Sequence, residues 1–213
     1  MWHIHLVTRQ IVTPREARMS PETVAAPAYR MELRQRFTPL QNRYDLVGID
    51  GAGGETPLGY AEQKRFSLKE KVTFWSGADR STVVFTIAAR NIMEIAGTYD
   101  VAGADGAVLA TIQKDFKSSL TQSTYTVDVG GRRLVGKERG LIKALARRAV
   151  EVLTDWPWIF PIHFDFTSGD GLAMSIERQM KLRDVYRIQI SDGTLDWRVA
   201  GALAVTVDAF MNR

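Results

Sequence analysis

Residues Asp196 to Met211 read DWRVAGALAVTVDAFM, and this stretch sets the architecture of the whole chain. Its apolar side chains cover most of a helix circumference, and no charge falls between Val199 and Val207. A helix that is apolar all round must be buried in protein or in membrane. At about 16 residues it would be about 24 Å long, which is short for a bilayer. The sequence therefore predicts a thin helix, N-capped by Asp196 and enclosed by a sheet. Its predicted core side chains are Val199, Ala200, Leu203, Ala204 and Val207.

Short strand patterns fill the chain before this helix. Residues Met31–Phe37 alternate apolar and polar side chains, which is the period of a strand with one buried face. Similar segments follow, and Gly, Asp, Ser or Pro separates most of them. The spacing predicts a mainly β protein, with an antiparallel barrel of about twelve strands around the C-terminal helix. The further segments are Arg43–Ile49, Leu58–Lys64, Lys71–Trp75, Thr82–Ala89, Thr98–Ala102, Val108–Lys114, Ser123–Val129, Arg132–Val135, Ile159–Phe166, Leu172–Gln179 and Val185–Ile190.

An internal repeat runs through these strands. The pairs Tyr44-Asp45, Tyr99-Asp100 and Phe164-Asp165 are each followed, after four residues, by Asp-Gly. The first two copies continue into a strand that ends in Gln-Lys. Asp-Gly is a strong hairpin signal, because a type I′ turn needs positive φ at both central residues. The chain is therefore predicted to consist of repeated hairpins.

Two segments lie outside this series. Residues 1–29 contain three of the seven prolines and no sustained periodicity, so they are predicted to be an irregular extension before a barrel domain at 30–213. The second segment, Glu138–Leu153, is predicted to be an amphipathic helix. It places a cationic row opposite an apolar stripe formed by Leu141, Leu145, Ala149 and Val152.

A chain of repeated hairpins that ends in a hydrophobic helix resembles the tubby C-terminal-like superfamily, which includes LURP-one-related proteins and phospholipid scramblases. The resemblance covers about residues 30–213 and rests on the Asp-Gly hairpins, the Gln-Lys strand ends and the tail Leu195-Asp-Trp-Arg-Val-Ala200. Trp197 stands where the family's tail often carries a second basic residue. The resemblance implies a twelve-stranded barrel around a central helix and contact with lipid rather than catalysis. Tubby domains bind phosphoinositide head groups through basic residues, and scramblases are linked to lipid movement and calcium. The residues that bind head groups or calcium in those proteins do not align with this chain, so the resemblance assigns no ligand residue here.

Positive charge is concentrated in one segment. The net charge is +4, whereas residues 132–148 alone carry +6 and the rest of the chain −2. Such a patch indicates an anionic partner, and we expect anionic lipid head groups at a membrane surface. A solvated helix face is the alternative. Trp156 and Trp158 follow, either as interfacial anchors or as core residues. The candidate head-group ligands are Arg132, Arg133, Lys137, Arg139, Lys143, Arg147 and Arg148.

Other candidate sites have simpler interpretations. The Asp residues of the repeat are spread over three hairpins and lack a calcium-loop spacing, so turn formation explains them. Gly48–Gly54 lacks the Gly-Lys-Ser/Thr ending of a phosphate loop and is interpreted as a hairpin tip. His3 and His5 lie in the extension, and His163 is isolated, so no metal site or cofactor is expected. There is also no recognisable catalytic motif, and we expect a non-enzymatic protein.

Composition limits the expected cellular compartment and the expected class of binding partner. The chain has no cysteine, which excludes disulfides, thiol nucleophiles and thiolate metal sites. It shows neither a signal peptide nor a long apolar segment, so the expected location is the cytoplasm, including the inner face of the membrane. No base-stacking module is visible, so nucleic acid is not an expected partner. The expected function is membrane-surface or lipid binding; a scaffold for protein partners or a small-ligand barrel is the alternative.

Overall fold

The computed structural model describes eight stretches of the chain. These are residues 29–37, 41–64, 71–90, 97–115, 124–139, 162–169, 171–179 and 184–211.

The described residues form twelve strands and one helix, and all twelve strand predictions overlap observed strands. The C-terminal helix α1 spans Trp197–Met211. The strands are β1 Tyr29–Phe37, β2 Gln41–Ile49, β3 Glu55–Lys64, β4 Val72–Trp75, β5 Val83–Ala89, β6 Thr98–Gly103, β7 Val108–Asp115, β8 Thr124–Val129, β9 Arg132–Glu138, β10 Ile162–Ser168, β11 Gly171–Gln179 and β12 Val185–Ile190.

The sheet closes on itself as an antiparallel barrel, which confirms the predicted fold class. Each strand pairs with its neighbours in sequence, and β12 pairs with β1, where Met31 lies opposite Ile188. A closed barrel leaves no strand edge unpaired. Because successive strands run in opposite directions, the connections from an odd-numbered strand to the next strand, such as β1 to β2, lie at one rim of the barrel. The connections from an even-numbered strand to the next strand, such as β2 to β3, lie at the other rim. We call the second the hairpin rim, since it carries the turns at 50–54, at 104–107 and at Gly169, and we call the first the loop rim.

The hairpins occur where the repeat predicts them, but the first two copies do not form the two-residue type I′ turn that Asp-Gly favours. At their tips only Gly53 and Gly106 have positive φ, at 86° and 83°. Instead, the carboxylates of Asp50 and Asp105 accept hydrogen bonds from backbone N–H groups two residues later. The turn with two positive-φ residues is Gly130-Gly131, which joins β8 to β9.

The helix fills the barrel, as its apolar circumference predicts. All five residues predicted to be in its core are at most 1% exposed. Asp196 acts as the N-cap, because its Oδ1 accepts a 2.8 Å hydrogen bond from the N–H of Arg198. Gly201 keeps the helix close to β2, since a Cβ at this position would lie 2.7 Å from Leu46 Cδ2. Thr206 satisfies its buried hydroxyl by donating to the Ala202 carbonyl over 2.8 Å.

The start of the predicted amphipathic helix needs a correction. Glu138 is the last residue of β9, and its side chain points into the barrel with 5% exposure. Strand pairing with Phe164 on β10 holds it there. The rest of that predicted helix, from residue 140, lies outside the described residues, as do residues 1–28.

Candidate functional site

The aromatic-Asp repeat has a structural meaning. In each copy the aromatic side chain is buried in the barrel, and the following Asp lies on the outer face. Each Asp forms an ion pair with an Arg at or just beyond the end of the preceding strand. These three Arg–Asp clamps are Arg36–Asp45 at 2.8 Å, Arg90–Asp100 at 2.6 Å and Arg139–Asp165 at 2.7 Å.

The structure separates the predicted head-group ligands into two locations. Arg132 begins β9 at the hairpin rim, whereas Lys137 and Arg139 lie at the loop rim. Seven residues of extended chain span about 23 Å, so Arg132 and Arg139 cannot contact one head group together. Arg133 stays on the outer face and binds Asp128 over 2.9 Å.

Arg132 is part of the turn that leads into the helix. Its guanidinium donates to Asp192 Oδ2 over 2.6 Å and to Thr194 Oγ1 over 3.0 Å. The hydrogen bond from the Thr194 hydroxyl, together with Arg132, lowers the pKa of Asp192 to about 2. The contacts made by Arg132 therefore fix the entry of α1 into the barrel.

A cleft of about 390 Å³ opens beside the third clamp. It is lined by Val135, Lys137, Glu138, Arg139, Asp165 and Thr167. Lys137 is exposed and has no ion-pair partner among the described residues. Arg139 keeps 57% of its side chain exposed although it binds both carboxylate oxygens of Asp165.

The chemistry of this cleft suits an anion at the surface. An ammonium group offers three donors, and a guanidinium offers more donors than the two that Asp165 uses here. An exposed ion pair contributes little free energy, about 1 kcal/mol at most, so an anion can compete with Asp165 for Arg139. The other predicted ligands, Lys143, Arg147 and Arg148, and the predicted anchors, Trp156 and Trp158, lie outside the described residues.

Inside the loop rim is a polar cluster that sequence analysis missed. Asp208 of α1 is 1% exposed, and its two carboxylate oxygens accept hydrogen bonds from Tyr44 and Tyr186, at 2.8 and 2.6 Å. Gln35 donates to the Tyr44 hydroxyl over 3.5 Å. A buried ion pair completes the set, in which Arg178 donates to both carboxylate oxygens of Asp184. We call these six residues the Asp208 cluster.

Burial dominates the electrostatics of this cluster. It raises the pKa of Asp208 to about 6, against the hydrogen bonds from the two tyrosines, which act to lower it. The neighbouring charge on Asp184 acts in the same direction as burial, and that on Arg178 opposes it. The pKa values of Tyr44 and Tyr186 are raised well above the ordinary value, again chiefly by burial.

One signal for this cluster was present in the sequence. Asp208 is the carboxylate that interrupts the apolar side of a helix predicted to be enclosed, and a buried carboxylate needs donors. Its partners could not be identified from the sequence, because Tyr44 lies 164 residues away. Within the described residues, no three His, Asp or Glu side chains come together in a way that could bind a metal ion. Nor does any described helix combine the length and apolarity needed to cross a membrane.

A comparison with protein-family models identifies a family for this chain. Residues 59–208 fit the model of the LURP-one-related family, and this range runs from β3 to the last turns of the helix. A search of curated proteins returned no match.

Proposed function

Because this chain belongs to the LURP-one-related family, part of the tubby C-terminal-like superfamily, we propose that it is a non-catalytic barrel that binds the anionic surface of a membrane. The proposed contact is the loop rim at the end of β9. The observation that carries the proposal is the cleft where Lys137 and Arg139 lie together on the outer surface. The next cations in the sequence, Lys143, Arg147 and Arg148, would extend this contact.

The distribution of charge between the two rims supports this orientation. The segments that join strands at the hairpin rim, together with residues 191–196 between β12 and α1, contain six Asp and one Arg, a net charge of −5. Those that join strands at the loop rim contain eleven Lys or Arg and five Asp or Glu, a net charge of +6. A barrel with opposite charges at its two rims is oriented by the field of an anionic surface. Each Lys or Arg near such a surface contributes about 1 kcal/mol.

The test is co-sedimentation with phosphatidylcholine vesicles, with and without phosphatidylserine, over a series of salt concentrations. We expect binding that requires phosphatidylserine and weakens as salt rises, because salt screens exposed charges. The variant Lys137→Ala/Arg139→Ala should bind about tenfold or more weakly, since two surface cations are lost. Lys143→Ala/Arg147→Ala should weaken binding in the same direction.

The repeat supplies a matched control. Arg34 lies opposite Asp45 in the strand register and Arg36 pairs with it, as Lys137 and Arg139 do with Asp165. The variant Arg34→Ala/Arg36→Ala therefore removes the same charge from the corresponding place in the first repeat, where Arg34, unlike Lys137, is paired with Glu32 and Glu55. Arg36 also lies near the loop rim, so a small loss is expected, but this variant should bind vesicles more tightly than Lys137→Ala/Arg139→Ala, provided that its melting curve shows it to be folded.

Two results would contradict the proposal. One is equal sedimentation with neutral and anionic vesicles at low salt. The other is an equal loss of binding in the control variant, which would show a diffuse charge effect without a local site. In either case the scaffold or small-ligand alternative becomes the better hypothesis, and affinity capture with the full chain would be the next experiment.

A further inference from the structure

Building on the proposed membrane contact, we propose that His163 makes the third clamp sensitive to protons: a protonated His163 takes Asp165 from Arg139, and the released guanidinium holds an anionic head group. The clamp would then bind an anionic surface more tightly under mildly acidic conditions. Only the ligand in this proposal depends on the proposed function, since the exchange of ion-pair partners needs no membrane.

His163 lies beside both members of the third clamp. Its side chain is on the outer face of β10, two residues before Asp165, and its carbonyl accepts a 2.6 Å hydrogen bond from the backbone N–H of Arg139. His163 Nε2 lies 3.5 Å from Asp165 Oδ1, and this nitrogen is buried and makes no hydrogen bond to any described residue. A protonated imidazole carries an N–H on both ring nitrogens, so protonation makes Nε2 a charged donor next to the clamp carboxylate.

Two carboxylates compete for the cations around His163. Glu177 of β11 lies opposite His163 in the strand register, and its charge acts on Arg139, as that of Asp165 does. Protonated His163 adds a cation between these carboxylates, so less of their attraction falls on Arg139. Because exposed ion pairs are weak, this added cation can displace Arg139 from Asp165. The charged or titratable groups on the outer face of the described strands around His163 are Lys137 and Arg139 of β9, Asp165 of β10, Glu177 of β11 and Arg187 of β12.

The internal repeat shows that this arrangement belongs to the third clamp. Two residues before the clamp Asp, the first repeat has Arg43 and the second has Thr98, where the third has His163. Of these three side chains, histidine is the one whose charge changes between about pH 5 and about pH 8. The third clamp is also the one that borders the cleft. Proton sensitivity is therefore expected at the clamp that we propose as the membrane contact and not at the other two.

Nitrogen-15 NMR of the arginine Nε–H groups tests the exchange of partners without a membrane. We expect the Arg139 signal to shift as pH falls from about 7.5 to about 5.5, with the same midpoint as the ring signals of His163. In His163→Gln the Arg139 signal should stay constant over this range. The signal of Arg90, in the second clamp, is the control within the same molecule and should not move in either protein.

Vesicle binding tests the consequence for the membrane contact. The probe is phosphatidylglycerol in phosphatidylcholine vesicles, because its charge is constant between about pH 5.5 and about pH 7.5, the range of histidine titration. The ratio of the affinities at these two pH values should be about fivefold lower in His163→Gln than in the unmodified chain, the effect of one cation at the surface. Histidines 3 and 5 supply the matched control, and His3→Gln/His5→Gln should keep the ratio of the unmodified chain.

The outcomes separate this proposal from the proposed function. If anionic vesicles bind at about pH 7.5 but His163→Gln leaves the ratio unchanged, the membrane contact stands and His163 has no part in it. If no vesicles bind at either pH, the proposed function fails, and the Arg139 signal alone decides whether the ion-pair partners exchange. An Arg139 signal that stays constant while His163 titrates, or that moves equally in His163→Gln, overturns the proposal.

Discussion

Arg139 donates hydrogen bonds from Nε and Nη2 to the two carboxylate oxygens of Asp165, each over 2.7 Å, and the same ion pair recurs in the other two repeats. Each repeat contributes four strands, and its clamp ties the first strand to the second. The Arg that we propose as a membrane contact therefore also has a structural role, so its two roles must be measured separately.

Removing one clamp should have a small effect on stability. The Arg side chains of the second and third clamps are more than half exposed, and exposed ion pairs are weak because solvent and salt screen them. We expect Arg90→Ala and Arg139→Ala to lower Tm slightly and by similar amounts. Thermal unfolding at low and high salt measures this, and the difference from the unmodified chain should shrink at high salt. A much larger loss for Arg139→Ala would mean that its clamp is not equivalent to the other two.

Adding a methyl group to the helix should destabilise the barrel at one glycine. In Gly201→Ala the new Cβ would lie 2.7 Å from Cδ2 of Leu46, a side chain that is 1% exposed. Replacing Gly by Ala in a helix gains about 1 kcal/mol, whereas overpacking a core costs about 1–3 kcal/mol. We expect a net loss of about 1 kcal/mol in urea unfolding. Combining it with Leu46→Val should recover part of that loss; additive effects of the two changes would show that they do not clash.

The fold was predictable because its signals are local. Alternation along Met31–Phe37, turn residues between strands and the uncharged circumference of Asp196–Met211 each depend on a few neighbouring residues. The site was less predictable, because it depends on which strands meet across the closed barrel. No local pattern reveals that Tyr44 and Tyr186 flank Asp208. The separation of Arg132 from Arg139 was missed because the predicted strand ended at Val135, whereas β9 continues to Glu138. The turns at Asp50 and Asp105 are longer than a type I′ turn, because the carboxylate of each Asp accepts a backbone hydrogen bond that stabilises a longer turn.

Placing a charge in the middle of the helix should unfold the barrel. Val199 and Leu203 are both 0% exposed, and neither has the hydroxyl donors that Asp208 has. Val199→Asp or Leu203→Asp should therefore destabilise by several kcal/mol, at least about 3 kcal/mol. Val108→Asp, at a side chain that is 60% exposed, is the control and should melt like the unmodified chain. A normal melting curve for both helix variants would contradict the buried position of α1.

The stability that the ion pair between Arg132 and Asp192 contributes should depend on pH. Asp192 has a folded-state pKa of about 2, below its ordinary value of 3.8, so it contributes stability above pH 3.8 that is lost as pH falls through about 2. Arg132→Ala should lower Tm at neutral pH, and the difference from the unmodified chain should shrink towards pH 2. Because Arg132 lies at the hairpin rim, the same variant should keep its vesicle binding. A Tm difference that stays constant down to about pH 2 would assign the contribution of Arg132 to packing and not to charge.

Ionisation of Asp208 should make the free energy of unfolding fall as pH rises, which is the opposite of the effect of Asp192. Its folded-state pKa of about 6 lies above the ordinary 3.8, so the folded chain holds a proton that the unfolded chain releases between these values. Stability should therefore fall as pH rises through this window, by at most about 3 kcal/mol for a shift of about two pKa units. The carboxylates with lowered pKa act mainly below their ordinary values, which are 3.8 for Asp100 and Asp196 and 4.5 for Glu55 and Glu62, so they do not mask the effect above about pH 5. Urea unfolding between about pH 4 and about pH 7 measures the slope.

In Asp208→Asn the fall should be largely abolished, so that the variant is more stable than the unmodified chain at neutral pH. If the unmodified chain instead gains stability through this window and Asp208→Asn leaves the slope unchanged, then Asp208 is already ionised at pH 4 and the donors around it outweigh its burial.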